Sequence, residues 1–134
     1  MRLSVRELEE RVGALAGRNY FSQELLYDLL AAYGRSASSI TRLRKGDLNV
    51  ARHPEAGEVA QKNVVYFRPV PRESSTDELL ELMGELTDAE HVTRYSPRFV
   101  LVTDYHRLLA YDTRTRETLS TPLGEIGQHV AFFL

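Results

Sequence analysis

Residues 97–113 constrain the fold of this chain more than any other stretch. Two short apolar segments, 99–102 and 108–111, flank a polar link around Asp104. Short segments rich in β-branched and aromatic residues, bounded by polar clusters, indicate paired strands. A third extended piece at 118–121 follows a polar turn. The pattern predicts a β-meander near the end of a domain that contains both helices and strands.

Capping signals predict two helices at the start of the chain. Ser4, with Glu7 three residues later, forms a capping box, and the apolar spacing that follows predicts a helix ended by Gly17. Ser22 is the predicted cap of a second helix over residues 23–33, which would be stopped by the glycine that follows it.

The third predicted helix, over residues 36–45 and closed by Gly46, lies inside a basic island. Between Arg35 and His53 there are 5 basic residues and 1 acid, a net charge of +4. The remaining residues carry 12 basic and 18 acidic side chains, a net charge of −6. A basic island on an acidic body indicates a local anion-binding face and not a general coat for nucleic acid.

The middle of the chain carries signals for a loop, a strand and a helix. Residues 47–61 show no clear period and contain both proline and glycine, so a loop is expected there. Residues 63–67 are rich in β-forming side chains and predict a strand. Ser75 and Glu78 form a second capping box, which predicts a helix before the meander. One further helical turn is expected after Pro122.

These elements together predict the fold class and the domain organisation. We expect an α+β fold in a single domain, residues 1–134. A helical bundle over about residues 1–46 would pack on a small mixed sheet of about three to five strands in residues 60–134. No apolar run approaches the roughly 18 residues that cross a bilayer, and the first residues do not resemble a signal peptide. No membrane partner and a cytoplasmic location are therefore expected.

Few residues are candidates for catalysis or metal binding. The chain has no cysteine, which excludes disulfides, cysteine-based zinc sites and a cysteine nucleophile. Its four histidines lack metal-ligand spacing, so no metal site is expected. Asp104 stands at the end of a predicted strand, where a catalytic acid could lie, but an aspartate there more often caps a turn. No catalytic residue is predicted.

Three blocks of sequence carry a resemblance to a known family. They are LYDLLAAYG (26–34) with SITRLRKGDLNVA (39–51), PRFVLVTDYHRLLAYDT (97–113) and HVAFFL (129–134). Together they resemble the N-terminal region of class I S-adenosylmethionine-dependent bacterial DNA adenine methyltransferases, including the fused type IIG (MmeI-like) restriction–modification enzymes. The likeness spans almost the whole chain.

The resemblance implies a non-catalytic N-terminal module of a longer enzyme. In that family the methyl-transfer domain lies further along and carries a glycine-rich cofactor loop and an Asn/Asp-Pro-Pro-Tyr/Phe motif. This chain has neither, and its single Pro-x-Pro is residues 69–71. S-adenosylmethionine is thus expected in the parent protein and no cofactor in this chain. Double-stranded DNA and the downstream methyltransferase domain are the expected partners. The apolar residues 130–134 are an unusual end for a natural domain, because large apolar side chains prefer burial, so a cut inside a longer protein is expected there.

A nuclease-related domain is one alternative, because fused enzymes of this kind often begin with a restriction nuclease. Its metal-dependent centre needs an Asp and, one strand later, Glu-x-Lys, whose first and third residues share a face of the strand. The closest match runs from Glu58 to Lys62, with the wrong spacing and before the predicted strand. This disfavours an active nuclease and leaves a degenerate relative of one as an alternative.

A stand-alone helix-turn-helix protein is the other alternative. Two helices joined by a turn at Gly34 imitate that motif, in which the second helix enters the major groove. The residues expected to contact DNA are Arg35, Ser39, Arg42, Arg44, Lys45 and Arg52. The competing interpretation is a solvated basic helix whose cations are stabilised by the helix dipole.

Overall fold

The computed structural model describes residues 4–16 and 23–134, and helices dominate its first part. The N-terminal helices are α1 (Val5–Ala16), α2 (Glu24–Ala32) and α3 (Ala37–Arg44). After a short 3-10 turn (Pro54–Ala56) come β1 (Val59–Gln61), β2 (Val65–Pro69), α4 (Thr76–Asp88), α5 (Glu90–Thr93), β3 (Phe99–Thr103), β4 (Arg107–Asp112) and β5 (Thr118–Pro122). A 3-10 segment, Leu123–Phe133, follows and is termed the C-terminal segment. Gly17 and Ser22, the predicted stop and cap of the first two helices, lie outside the described residues.

The strands form one mixed sheet in the spatial order β1-β2-β3-β4-β5. β2 and β3 run parallel, whereas the other neighbouring strands are antiparallel. A parallel pair needs a long crossover connection, which α4 and α5 supply. The predicted meander is confirmed as β3, β4 and β5, and the strand predicted at residues 63–67 is confirmed as β2. The α+β fold with a small mixed sheet is therefore confirmed.

Helices cover both faces of the sheet, because the strands send apolar side chains to two separate clusters. Val65 and Phe67 of β2 join α1, α2, α3 and the C-terminal segment in the first cluster. Tyr66, between them, joins α4 and α5 in the second cluster. Burial on both faces explains why β3 is an uninterrupted apolar run in the sequence. The predicted packing of the N-terminal helices on the sheet is confirmed.

Side-chain caps begin the helices where the sequence predicts them. Ser4 Oγ accepts a hydrogen bond from the Glu7 N–H at 3.1 Å, at the start of α1. Ser75 caps α4 in the same way, and the Glu78 carboxylate accepts a hydrogen bond from the Ser75 backbone N–H. Gly34 follows α2 with φ of 90°, a left-handed conformation that glycine adopts without a Cβ clash. These local signals therefore set the ends of the helices.

The loop expected over residues 47–61 is wrong in its last part, where β1 forms. Val50 donates its N–H to the Ala60 carbonyl at 2.9 Å, alongside the β1 edge. Asn49 Oδ1 accepts the backbone N–H groups of Ala51 and Ala60. Residues 49–51 therefore cover the edge of the sheet and are termed the segment that covers β1. A strand of 3 residues is too short to show a two-residue period, and its proline- and glycine-containing neighbours conceal it.

The apolar end of the chain packs against the rest of the domain. The Phe133 ring lies 5.8 Å from the Tyr33 ring and 5.2 Å from the Phe99 ring, measured between centroids. Val130 is buried, Phe132 and Phe133 are half-buried, and Ala131 and Leu134 are exposed. The helical turn expected after Pro122 is the first part of the longer C-terminal segment.

Candidate functional site

The predicted DNA-binding residues lie in two places. Five are on or beside α3, and Arg52 follows the segment that covers β1. Arg35, Arg42 and Lys45 are exposed beside or on α3. Ser39 is half-buried, and its backbone N–H donates to the Ser36 Oγ cap at 3.2 Å. Because these three basic side chains are exposed to solvent on or beside one short helix, the α3 region presents a local basic surface.

Arg44, the fourth cation of the α3 region, is engaged within the protein. Its guanidinium forms an ion pair with Glu24 at the start of α2. The same group lies over the Tyr27 ring, 4.4 Å from the ring centroid. Burial raises the pKa of Tyr27, and the nearby Arg44 charge opposes that rise. Arg44 therefore holds α3 against α2 and has less freedom to contact a ligand than its neighbours.

Arg52 lies in another place, after the segment that covers β1. It is exposed, and its backbone N–H donates to the Tyr66 hydroxyl at 3.4 Å. Its side chain lines a cleft together with His91 and Arg94 from the α5 region. The structure thus groups Arg52 with two residues that the sequence did not mark as DNA contacts.

A buried polar cluster around Glu58 is the main feature that the sequence did not reveal. The Glu58 side chain is fully buried just before β1. Tyr66 Oη donates to Glu58 Oε1 at 2.7 Å, and Arg68 Nη1 donates to Oε2 at 3.0 Å. The His53 backbone N–H also donates to Oε1, at 3.1 Å. Burial raises the pKa of Tyr66, and its hydrogen bond to Glu58 raises it further. The hydroxyl therefore stays protonated as a donor to the carboxylate.

Two residues of this cluster have the same spacing on a strand as the Glu and Lys of the nuclease pattern. Tyr66 and Arg68 occupy first and third positions on one face of β2, as the Glu and Lys of Glu-x-Lys would. Glu58 faces them from the position just before β1. Lys62 is exposed in the turn between β1 and β2, so the predicted match from Glu58 to Lys62 does not converge. The sequence pattern does not indicate this cluster, because a tyrosine and an arginine occupy the two positions of β2 that contact Glu58.

This arrangement leaves no second carboxylate to share a divalent cation with Glu58. A magnesium site in a protein uses carboxylate oxygens, usually with water. Here the guanidinium of Arg68 neutralises the single acid, and the tyrosine hydroxyl occupies its other oxygen. Within residues 4–16 and 23–134, no group of three or more histidines and acids is placed to hold a metal ion.

Asp104 caps a turn, as the sequence predicts. Its carboxylate accepts backbone N–H groups of Ser74, His106 and Arg107, each at 2.9 Å. Burial opposes ionisation of Asp104, but these hydrogen bonds outweigh it and hold the pKa of the carboxyl below its ordinary value. Tyr105, in the same turn, has φ of 68°. The acid therefore stabilises the tight link between β3 and β4.

Comparison with known proteins gives one family and one close relative. Residues 3–134 match the family described as "MmeI, N-terminal domain". DNA methyltransferase A of Bacillus subtilis (strain 168) is 35% identical over 128 residues, which are 96% of this chain and 14% of that protein. The chain thus spans a small fraction of the length of its relative. No solved structure matches it significantly. In the part of the chain that the structure describes, no helix is long and apolar enough to span a bilayer.

Proposed function

The chain belongs to the MmeI N-terminal domain family, and from that membership we propose that it is the N-terminal, non-catalytic module of a DNA adenine methyltransferase or fused restriction–modification enzyme. The observation that carries the proposal is the likeness to DNA methyltransferase A over 96% of this chain but 14% of that protein. A module of this size leaves the S-adenosylmethionine site and the methyl-transfer centre to the remainder of the enzyme. The cytoplasm, where bacterial DNA lies, is the corresponding location.

In this proposal the module helps to hold double-stranded DNA and docks on the downstream methyltransferase domain. The basic surface of α3 supports the first role, because Arg35, Arg42 and Lys45 are exposed cations suited to phosphate contacts. Arg44 supports the role only indirectly, since its ion pair with Glu24 fixes the helix that carries the others.

A fluorescence anisotropy titration with a labelled DNA duplex at low salt tests the DNA-binding role. We expect weak binding with little sequence preference. Neutralising about three phosphates on the α3 surface contributes about −3 to the slope of log affinity against log salt. The variant Arg42→Ala/Arg44→Ala/Lys45→Ala should lose binding and keep its fold. The single variant Arg44→Ala is the control and should retain most of the affinity. A wild-type chain that binds no duplex would contradict the DNA-binding role.

The Glu58 cluster supports a second, compatible interpretation, a degenerate relative of a restriction nuclease. A single acid, neutralised by arginine, cannot form the two-acid magnesium site that metal-assisted hydrolysis uses. We therefore expect no cleavage of plasmid DNA with Mg²⁺ or Mn²⁺. Cleavage that disappears in a Glu58→Gln variant would show that the cluster is an active centre.

The absence of cofactor chemistry is tested separately. Since the chain has no glycine-rich cofactor loop after a strand, we expect no heat of S-adenosylmethionine binding in isothermal titration. Saturable one-to-one binding at micromolar ligand would place part of the cofactor site in this module.

A further inference from the structure

A polar cleft of about 570 Å³ opens between the segment that covers β1 and the α5 region. Arg52 stands on one side of it, and His91 and Arg94 stand on the other. Glu90 is the acid of its lining. The cleft is thus lined by two arginines and one histidine against a single acid, and its lining includes none of the α3 cations.

The two arginines of the cleft are free to bind an external anion. Within the described residues, neither the Arg52 nor the Arg94 guanidinium forms an ion pair or a side-chain hydrogen bond. Arg94 lies over the Tyr95 ring, 5.2 Å from the centroid, a contact that orients the guanidinium and leaves its N–H groups available. Arg44 and Arg68 differ, since each already faces a carboxylate.

Rigid structure supports the cleft from below. The Arg52 backbone N–H donates to the Tyr66 hydroxyl at 3.4 Å. The His91 ring stands edge-on to the Tyr66 ring, with 6.0 Å between centroids. Tyr66 is fully buried and donates to Glu58 at 2.7 Å. The cleft therefore adjoins the buried Glu58 cluster through Tyr66.

We propose that this cleft binds the phosphodiester backbone of DNA through Arg52 and Arg94, with His91 as an additional donor. A planar guanidinium presents paired N–H groups that match two oxygens of a phosphate. The volume of about 570 Å³ accommodates a length of backbone and not merely one phosphate ion. The inference rests on the proposed DNA-binding function and adds a second contact to that of α3.

The test compares three double variants of the full chain by duplex anisotropy at low salt. Arg52→Ala/Arg94→Ala removes the cleft cations, and Arg42→Ala/Lys45→Ala removes the α3 cations. Arg72→Ala/Arg114→Ala removes two exposed cations from elsewhere and matches the loss of charge. We expect the cleft variant to weaken binding about tenfold or more and to reduce the salt slope by about 2, since each lost phosphate contact contributes about 0.9. The charge-matched variant should bind much more like the wild type.

Different results separate this inference from the proposed function. A cleft variant that binds as well as the charge-matched control, while the α3 variant loses affinity, overturns the cleft assignment and leaves DNA binding in place. A wild-type chain that binds no duplex overturns both. A further variant of the cleft, Arg52→Lys/Arg94→Lys, keeps the charge and loses the paired donors. It should show an affinity between those of the wild type and the alanine variant, with an unchanged melting curve.

Competition at constant ionic strength identifies the ligand. If the cleft takes a DNA backbone, unlabelled duplex displaces the labelled duplex, and neither inorganic phosphate nor polyglutamate does so at the same charge concentration. Displacement by inorganic phosphate would mean a site for a free anion. Displacement by polyglutamate would mean a surface for acidic protein segments. Either result would overturn the phosphodiester assignment.

Discussion

At the scale of single residues, the buried carboxylate of Glu58 depends on Arg68 for its neutralisation. Arg68→Met removes its neutralising partner and leaves a charge in a side chain that is 0% exposed. We expect the free energy of unfolding to fall by about 2–4 kcal/mol, less than for a fully buried pair, because the Arg68 side chain is 35% exposed. Urea unfolding measures the change.

Two further variants control the Arg68 prediction. Arg44→Ala breaks a half-exposed ion pair and should cost less than about 1 kcal/mol. Glu58→Gln added to Arg68→Met removes the unpaired charge and should restore part of the stability. If the double variant is no more stable than Arg68→Met alone, the loss comes from packing and not from the charge.

Asp104 makes stability depend on acid pH. Its pKa in the folded protein lies below the ordinary value of 3.8. The ionised carboxylate therefore stabilises the fold above about pH 4, and this contribution is lost as the pH falls through the folded pKa. Asp104→Asn should reduce the free energy of unfolding most near pH 7, and the difference from the wild type should shrink on acidification. Urea midpoints from about pH 7 to about pH 3 measure this, with exposed Asp47→Asn as the control. A difference independent of pH would contradict the role of the charge.

At the scale of elements, α1 and the C-terminal segment meet through two glycines. A Cβ built on Gly127 would lie 3.0 Å from Gly13 Cα and 3.2 Å from Gly13 N. Gly127→Ala must therefore push α1 away and should lower the free energy of unfolding by about 1–3 kcal/mol. Gly13→Ala meets no atom within 4 Å and should be neutral or stabilising by up to about 1 kcal/mol, because alanine favours a helix. Thermal unfolding of the two variants measures both changes, and equal destabilisation would contradict the close contact.

Elements with local signals could be predicted from the sequence, whereas those made by distant partners could not. Ser75 and Glu78 are three residues apart and report the start of α4 by themselves. β1 exists because β2 and Asn49 satisfy its backbone groups, and α5 has 4 residues, too few for a helical period. The Glu58 cluster joins residues 8 and 10 positions apart, and their identities differ from the expected acid and lysine. The cleft was missed because Arg52 meets His91 and Arg94 only in the fold.

At the scale of the whole molecule, the net charge of −2 is a sum over acidic and basic residues that lie on different elements. α4 exposes acids at Asp77, Glu81 and Glu85 and has no basic residue in its last turn. The cations of α3 and of the cleft lie on other elements. Under the proposed function, DNA would therefore approach this protein in a restricted orientation, since α4 repels the phosphates that the arginines attract.

The first helix meets its main partner, the C-terminal segment, only late in the synthesis of this domain. Leu8 and Val12 of α1 share their apolar cluster with Ile126 and Val130 of the C-terminal segment, more than a hundred residues later. Contacts between such distant positions close a long loop and slow folding. A nascent chain that has stopped short of residue 123 would carry α1 covered by α2 and without the segment that packs most extensively on it. Apolar side chains exposed in this way favour proteolysis and capture by chaperones.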